Sequence, residues 1–142
     1  MQSTSVDAPD MYQDVFDFHR KFSAYIGDRP GIPTAGTAEL RAELIREEFD
    51  ELLTAMESGD LPGIADGALD LVYVVLGTLV SYGIDARPIW VAIHAANMAK
   101  VGGGTRADGK VMKPPGWIAP DVAGLLAKQG ASADLAGKVA GK

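Results

Sequence analysis

The sequence predicts an all-α fold: a four-helix bundle followed by a loop-rich C-terminal segment. Apolar residues recur three or four positions apart in four long stretches, which is the spacing of one face of a helix. No stretch alternates apolar and polar residues, and no hairpin turn signal joins two such stretches. Breaks that contain glycine or proline separate the four stretches, so we expect each stretch to form its own helix.

The first two predicted helices are separated by a break at residues 27–33. The first covers residues 10–26. The second begins after Thr37, whose hydroxyl can accept a hydrogen bond from the first turn. It continues to about Glu57 and ends at Gly59, because glycine readily adopts the left-handed conformation that closes a helix.

The remaining predicted helices each begin with an aspartate, and Asp60 can cap the first of them. The third helix covers residues 60–83 and the fourth covers residues 85–100. A loop is expected over residues 102–120 and a short helix over residues 121–128. The chain therefore reads as helices joined by short connections.

Composition and charge narrow the possible classes of protein. The 142 residues are 47% hydrophobic and 23% charged, which predicts one globular domain over residues 1–128 and a flexible tail over residues 129–142. The net charge of −6 disfavours nucleic-acid binding, which depends on excess Lys and Arg. The chain has no cysteine, so thiol catalysis and Cys-ligated metals are excluded. Any metal ion must be held by oxygen atoms or imidazole.

The sequence predicts a cytoplasmic protein that does not enter membranes. The stretch from Met1 to Pro9 lacks the basic and apolar regions of a secretory signal. The most apolar run, Leu69 to Val80, is too short to span a bilayer of about 30 Å and contains Asp70.

Acidic residues lie on the predicted core side of the second helix. With about 100° per residue, the apolar stripe extends from Leu40 at zero to Phe49 at about 180°. On the same helical wheel, Glu48 falls at about 80°, Glu51 at about 20° and Glu47 at the edge of the stripe, at about 340°. Buried carboxylates are costly unless a cation pairs with them. The alternative is a solvated helix face, with Arg41 or Arg46 pairing with neighbouring acids.

The third predicted helix carries one polar stripe on an otherwise apolar surface. Its apolar residues surround the helix, as expected at the centre of a bundle, yet Asp66, Asp70, Tyr73 and Gly77 share one side. Facing the acids of the second helix, Asp66 and Asp70 would form an oxygen-rich, strongly negative pocket. Mg²⁺ or Mn²⁺ would neutralise it, because both ions take carboxylate ligands. For Asp66, the alternative is a capping role near the helix start.

Four motifs in this order resemble a known family, and the resemblance spans Val15 to Pro120. The chain resembles the MazG-like all-α nucleoside triphosphate pyrophosphohydrolases, and most closely their phosphoribosyl-ATP-pyrophosphohydrolase-like branch. The motifs are Glu47-Glu48-x-x-Glu51, the run from Ile64 to Gly77, Asn97-Met98-Ala99-Lys100, and Gly109 to Pro115.

The resemblance implies which acids are catalytic. It assigns Glu48, Glu51 and Asp70 as Mg²⁺ ligands, with Glu47 as a further ligand or as the group that orients the attacking water. Many MazG proteins have glutamate three residues before the position of Asp70, where this chain has Gly67. An aspartate takes over this role in closer relatives, and Asp66 is the residue here that could do so.

Phosphate-binding residues are expected in the fourth helix and in the loop that follows it. Asn97 and Lys100 lie three residues apart on one helix face, and Lys110 and Lys113 come from the loop. Such cations would meet the distal phosphates of a nucleotide. The alternative is a solvated helix end, where lysine is favoured by the helix dipole.

Aromatic residues are the candidates for contact with the nucleobase or sugar. The alternative interpretation is core packing, which explains most aromatic residues at helical spacing. His94 is expected at the surface. The candidates are Phe18, His19, Phe22, Tyr73, Trp90 and Trp117.

The resemblance implies hydrolysis of a nucleoside or deoxynucleoside triphosphate, for example a purine deoxynucleotide such as dGTP, to the monophosphate and pyrophosphate. It also implies two or more Mg²⁺ ions per site, with Mn²⁺ as a substitute, and assembly as a homodimer or homotetramer. Two alternatives remain open: phosphoribosyl-ATP pyrophosphohydrolase activity, and a non-catalytic helical module that binds a nucleotide or metal.

Overall fold

The structure, a computed structural model, describes residues 8–132 of the chain. These residues form five helices and no strand, which confirms the predicted all-α class. An isolated antiparallel bridge joins Thr105 and Val111 within the loop segment. The chain divides into two compact units, Met1–Ile84 and Asp85–Lys142. The single domain predicted over residues 1–128 stays a prediction, and most of the predicted tail, residues 133–142, lies outside the described residues.

The first helix, α1 (Met11–Lys21), ends before the predicted Ile26. The prediction was wrong here because the chain turns away at Ser23, whose φ of 55° is left-handed. The N–H of Ala24 then donates to the carbonyl of His19 at 2.9 Å, which closes the helix end. The apolar spacing continues past this turn, but the backbone does not.

The second helix, α2 (Ala35–Ser58), begins earlier than predicted. Thr34 is its N-cap rather than Thr37: the Thr34 hydroxyl accepts a hydrogen bond from the backbone N–H of Thr37 at 3.4 Å. Both threonines satisfy the sequence rule for a cap, and the rule alone does not choose between them. The predicted end is confirmed, because Gly59 closes the helix with a φ of 67°.

The third helix, α3 (Leu61–Ser81), is capped by Asp60 as predicted. It packs against both α1 and α2. The expectation that it is buried on all sides is wrong for the single chain, because Leu69 is 63% exposed and Val75 is 41% exposed. Among the described residues, α3 alone is long and apolar enough to pass a length-and-composition test for a membrane span, a test that core helices of soluble proteins also pass.

The apolar stripe predicted on α2 is broader than the face that packs. Leu44, Ile45 and Leu52 are half-buried, whereas Leu40 and Phe49, at the two edges of the stripe, are about half exposed. The residues at the edges of the stripe remain exposed because α3 covers only the middle of this wide apolar face. The predicted stripe therefore includes apolar surface that this unit does not bury.

Glycines in α3 allow it to approach α2 closely. A Cβ atom at Gly67 would lie 3.2 Å from the Cα of Leu52, which is tighter than ordinary van der Waals contact. Contacts of this kind at three levels fix one antiparallel register along the helix pair. The paired positions are Ala55 with Gly63, Leu52 with Gly67, and Arg41 with Gly77.

The second unit contains α4 (Ala86–Met98) and α5 (Val122–Lys128), which start where predicted and are capped by Asp85 and Asp121. The side-chain amide of Gln129 ties the two helices together. Its Oε1 accepts from the backbone N–H of Asp85 at 2.8 Å, and its Nε2 donates to the Asp85 carbonyl at 3.0 Å. The start of α4 is thus held against the end of α5.

Candidate active site

The antiparallel register of α2 and α3 brings the predicted acids together. The contact of Leu52 with Gly67 and that of Arg41 with Gly77 place Glu48 level with Asp70, and Glu51 level with Asp66. The helix pair thus carries acidic groups on both sides of one seam. The predicted grouping of these acids is therefore found in the first unit.

Glu48 is the central member of this group. Its Oε2 atom is buried and has no hydrogen-bond partner among residues 8–132. Burial and, after it, the negative charges nearby raise the pKa of Glu48 above its ordinary value of 4.5. In decreasing order of effect, those charges are Glu51, Asp70, Glu47 and Asp66. The same four residues are exposed, whereas Glu48 is half-buried.

A cavity of about 410 Å³ lies in the same groove, toward the hairpin between α2 and α3. Two of the predicted metal ligands, Glu51 and Asp66, line it. Its other lining residues are Asp50, Thr54, Ala55, Ser58, Asp60, Gly63 and Gly67.

Gly67 departs from the family pattern for a packing reason. It is buried, and a Cβ there would press on the Leu52 backbone at 3.2 Å, closer than ordinary van der Waals contact. A glutamate side chain there would force the two helices apart. Asp66, the preceding residue, is exposed beside the cavity and lies close enough to raise the pKa of Glu48.

The acids fit a hard divalent cation by their chemistry. As the side chains stand, no three His, Asp or Glu groups within residues 8–132 converge closely enough to hold a metal ion. The exposed carboxylates can change rotamer, and the buried Glu48 oxygen lacks the donor that such an atom normally has. Carboxylate oxygens are the ligands that Mg²⁺ and Mn²⁺ prefer. Glu47, Glu48, Glu51, Asp66 and Asp70 could therefore hold such ions.

Three of the predicted base-contacting residues form an exposed aromatic group. Phe18 packs edge-on against Tyr73 of α3, with ring centroids 5.6 Å apart, and lies 4.7 Å from the ring of Phe22. All three rings remain exposed to solvent. Part of their surface thus packs between helices, and part stays available for a planar ligand.

His19 is placed differently from these aromatic residues, because only 2% of its surface is exposed. Its Nδ1 lies 3.1 Å from the carbonyl of Tyr25, so Nδ1 carries the donated proton. The same carbonyl accepts from the Ser81 hydroxyl at 2.9 Å. Burial lowers the pKa of His19, and the charge of Arg41 lowers it further.

Arg41 is the functional candidate that sequence reasoning missed. Arg41 entered the sequence analysis only in the alternative of a solvated helix face, as one of two arginines that could pair there; Arg46 does pair with Glu43, but Arg41 is only 7% exposed. The helical wheel contained the signal, because Arg41 falls about 100° from Leu40, inside the apolar stripe. A charged residue at that angle has to find partners inside the fold.

The predicted phosphate-binding residues belong to the second unit. The ammonium groups of Lys100 and Lys113 lie 5.5 Å and 4.8 Å from the centroid of the Trp117 ring, within cation–π range. The Trp117 Nε1–H donates to the Ala96 carbonyl at 2.7 Å, which anchors the ring on α4. Two of the predicted lysines therefore meet at one aromatic ring.

Other residues of the second unit stand apart from this ring. Asn97 and Lys110 are exposed, and the backbone N–H of Lys110 donates to Asp108 at 3.2 Å. Trp90 is 70% exposed on α4, and His94 is exposed on the same helix, as expected. These positions are reachable from solvent, and their predicted roles stay predictions.

In the first unit, a Glu-Glu-x-x-Glu helix faces aspartates of an antiparallel neighbour, which is the arrangement that the resemblance to the class of MazG-like pyrophosphohydrolases implies. A model of the phosphoribosyl-ATP pyrophosphohydrolase family matches residues 15–97, more than half of the chain. The chain belongs to this family. It is therefore a hydrolase acting on phosphoric anhydrides, from a family whose enzymes typically depend on metal ions. A comparison with curated proteins found no match.

Proposed function

We propose that this protein hydrolyses a nucleoside or deoxynucleoside triphosphate to the monophosphate and pyrophosphate, with Mg²⁺ or Mn²⁺ as cofactor. The observation that carries the proposal is the buried, unpartnered Oε2 of Glu48 within a group of four other carboxylates. Such a group costs stability on its own, because like charges repel and a buried oxygen lacks a donor. Divalent ions would remove both costs.

The charge of the substrate supports the same conclusion. A nucleoside triphosphate carries about four negative charges, so an acidic seam would repel it without bridging cations. Bound Mg²⁺ would polarise the phosphate and lower the pKa of a water molecule. Glu48, Glu51, Asp66 and Asp70 would hold the ions, and Glu47 would be a further ligand or would accept a hydrogen bond from the attacking water and orient it.

The resemblance also assigns residues to the distal phosphates, and these residues belong to the second unit. Trp117 restricts Lys100 and Lys113 by cation–π contact, which reduces the entropy that either side chain would lose on binding an anion. Asn97 and Lys110 complete the proposed phosphate-binding set. We expect their loss to raise KM more than it lowers kcat.

The exposed aromatic group in the first unit supports a planar ligand. Phe18, Phe22 and Tyr73 present ring surface to solvent near a polar stripe, an arrangement that suits stacking on a nucleobase. His19 would support this wall from beneath rather than stack. A purine deoxynucleotide such as dGTP offers a large ring for this contact and is the first substrate to test.

Phosphoribosyl-ATP is a second candidate substrate, which the family's description favours. It contains the same triphosphate, and the same bond would break, with water adding to phosphorus and pyrophosphate leaving. The two candidates differ in the base and its substituent. They therefore make different demands on the aromatic group and the same demands on the carboxylates.

The test is a substrate panel: the eight common ribo- and deoxynucleoside triphosphates and phosphoribosyl-ATP, each with Mg²⁺ or Mn²⁺. Release of pyrophosphate and the matching monophosphate from one of them confirms the reaction and identifies the substrate. Glu48→Gln and Asp70→Asn, which remove charge but not volume, should abolish turnover while helicity by circular dichroism persists. Turnover retained by both variants, or absent from the wild type across the panel, would contradict the proposal.

A further inference from the structure

Arg41 lies in the seam between α2 and α3 without a carboxylate partner among residues 8–132. Its guanidinium donates through Nη2 to the carbonyl of Val74 at 2.8 Å and through Nε to the Thr78 hydroxyl at 3.3 Å. Burial alone lowers its pKa, with no acidic neighbour to offset it. A buried charge without a counter-ion is costly, so a simple stabilising role does not explain this residue.

The contacts of Arg41 hold α3 in a defined rotation and register. The guanidinium is planar and rigid, so two bonds to groups one turn apart on α3 fix both the height and the facing side of that helix. The Thr78 hydroxyl also donates to the Val74 carbonyl at 2.8 Å, which joins both acceptors into one unit. Gly77 leaves the space: a Cβ there would collide with the guanidinium and would lie 2.9 Å from His19 Nε2.

The same turns of the two helices continue into the acidic seam. Glu48 follows Arg41 by seven residues, or about two turns of α2, on nearly the same side. Asp70 precedes Val74 by four residues, one turn earlier on the same side of α3. A shift of α3 at Arg41 would therefore change where Asp70 stands relative to Glu48.

We propose that Arg41 is a positioning residue of the carboxylate site: by binding Val74 and Thr78 it fixes the register in which Asp70 faces Glu48. This inference rests on the proposed metal-dependent function. Arg41 does not contact substrate or metal. It acts because carboxylates that share an ion must stand at matched heights, and repulsion between them would otherwise push the helices out of that alignment.

The test compares Arg41→Met with Ser81→Ala, which also removes a buried hydrogen bond of α3 but leaves both hydrogen bonds of the guanidinium intact. Mn²⁺ affinity is measured by electron paramagnetic resonance of the free ion, together with the thermal midpoint, kcat and KM. Arg41→Met should weaken Mn²⁺ binding by up to about tenfold, the lower end of what losing direct support of a metal ligand costs, and should lower kcat. Ser81→Ala should lower the midpoint while Mn²⁺ affinity stays at the wild-type level.

Two further variants keep the inference testable if Arg41→Met does not fold. Arg41→Lys keeps the charge but cannot span both acceptors, so it should also lose Mn²⁺ affinity. Thr78→Val removes one acceptor and should cause a smaller loss in the same direction. Equal Mn²⁺ affinity in wild type and these variants, or equal losses in Ser81→Ala, would overturn this inference alone. A wild type that neither binds Mn²⁺ nor releases pyrophosphate would overturn the proposed function with it.

Discussion

The Glu48 carboxylate is held in an environment that disfavours its charge. Its Oε2 is buried without a donor among the described residues, and acids surround it. Evolutionary replacement by glutamine would relieve this cost, since the amide has nearly the same shape and no charge. A destabilised carboxylate of this kind is typical of a functional site, where stability is given up for binding or catalysis.

This argument predicts opposite effects of Glu48→Gln on stability and activity. In the presence of a chelator, the variant should unfold at a temperature a few degrees above the wild type, because repulsion from its acidic neighbours is removed. Its Mg²⁺-dependent turnover should be lost. Glu57→Gln, an exposed change later on the same helix, should alter neither property. A lower midpoint for Glu48→Gln would show that the acids do not repel one another as inferred.

The lowered pKa of the buried His19 predicts that the stability of the protein depends on pH. Burial and the charge of Arg41 lower its pKa below the ordinary 6.5, so the unfolded chain binds a proton at pH values where the folded chain does not. The free energy of unfolding should therefore fall as the pH drops below about 6.5. His19→Asn keeps a donor for the Tyr25 carbonyl but does not titrate.

Thermal midpoints between pH 7.5 and 5 check this prediction, with the difference between wild type and variant as the measured quantity. Acids elsewhere titrate in both proteins, so that difference isolates the imidazole. The wild type should lose more stability than His19→Asn as the pH falls. His94→Asn, at the exposed histidine, should follow the wild type. Parallel curves for wild type and His19→Asn would contradict a neutral, buried His19.

At the scale of elements, sequence patterns predicted which helices exist better than where they end. Aspartates and Gly59 marked several boundaries correctly, because one local group determines each of them. The end of α1 was missed because the turn at Ser23 depends on a bond between Ala24 and His19, which the apolar spacing does not reveal.

For the acids, helical spacing predicted which members of each helix share a face, since positions three or four apart lie on the same side. Their roles stay predictions. The buried bonds of Arg41 to Val74 and Thr78 were not predicted, because they depend on the register between two helices rather than on spacing within one. The close approach at Gly67 depends on that same register.

The packing at Gly67 predicts that restoring the family's glutamate will not improve the site. Gly67→Glu should lower the thermal midpoint and should not raise Mn²⁺ affinity, because the side chain would push Leu52 and the α2 backbone away. Gly36→Ala is the control, since nothing lies within 4 Å of a Cβ there. A stable Gly67→Glu protein with tighter Mn²⁺ binding would show that the helices separate more easily than this contact indicates.

At the scale of the whole molecule, a single chain leaves a large amount of apolar surface exposed to solvent. On α3, Leu69 is 63% exposed and Val72 is 40% exposed, and on α2 Met56 is 56% exposed. Each buried Å² of such surface contributes about 25 cal/mol, so covering it would be strongly favourable. Contiguous apolar patches on a folded protein usually mark an interaction surface.

We therefore expect the protein to self-associate through α3, and light scattering after size exclusion measures the outcome. The wild type should elute at a multiple of its 14.9 kDa chain mass. The double variant Leu69→Lys, Val72→Lys should shift toward the single-chain mass, because two charges would have to be buried at the contact. Ile118→Lys, an 83% exposed position in the second unit, should keep the wild-type mass. A wild type that elutes as a single chain at micromolar concentration would contradict this expectation and leave the exposed face of α3 to a different partner.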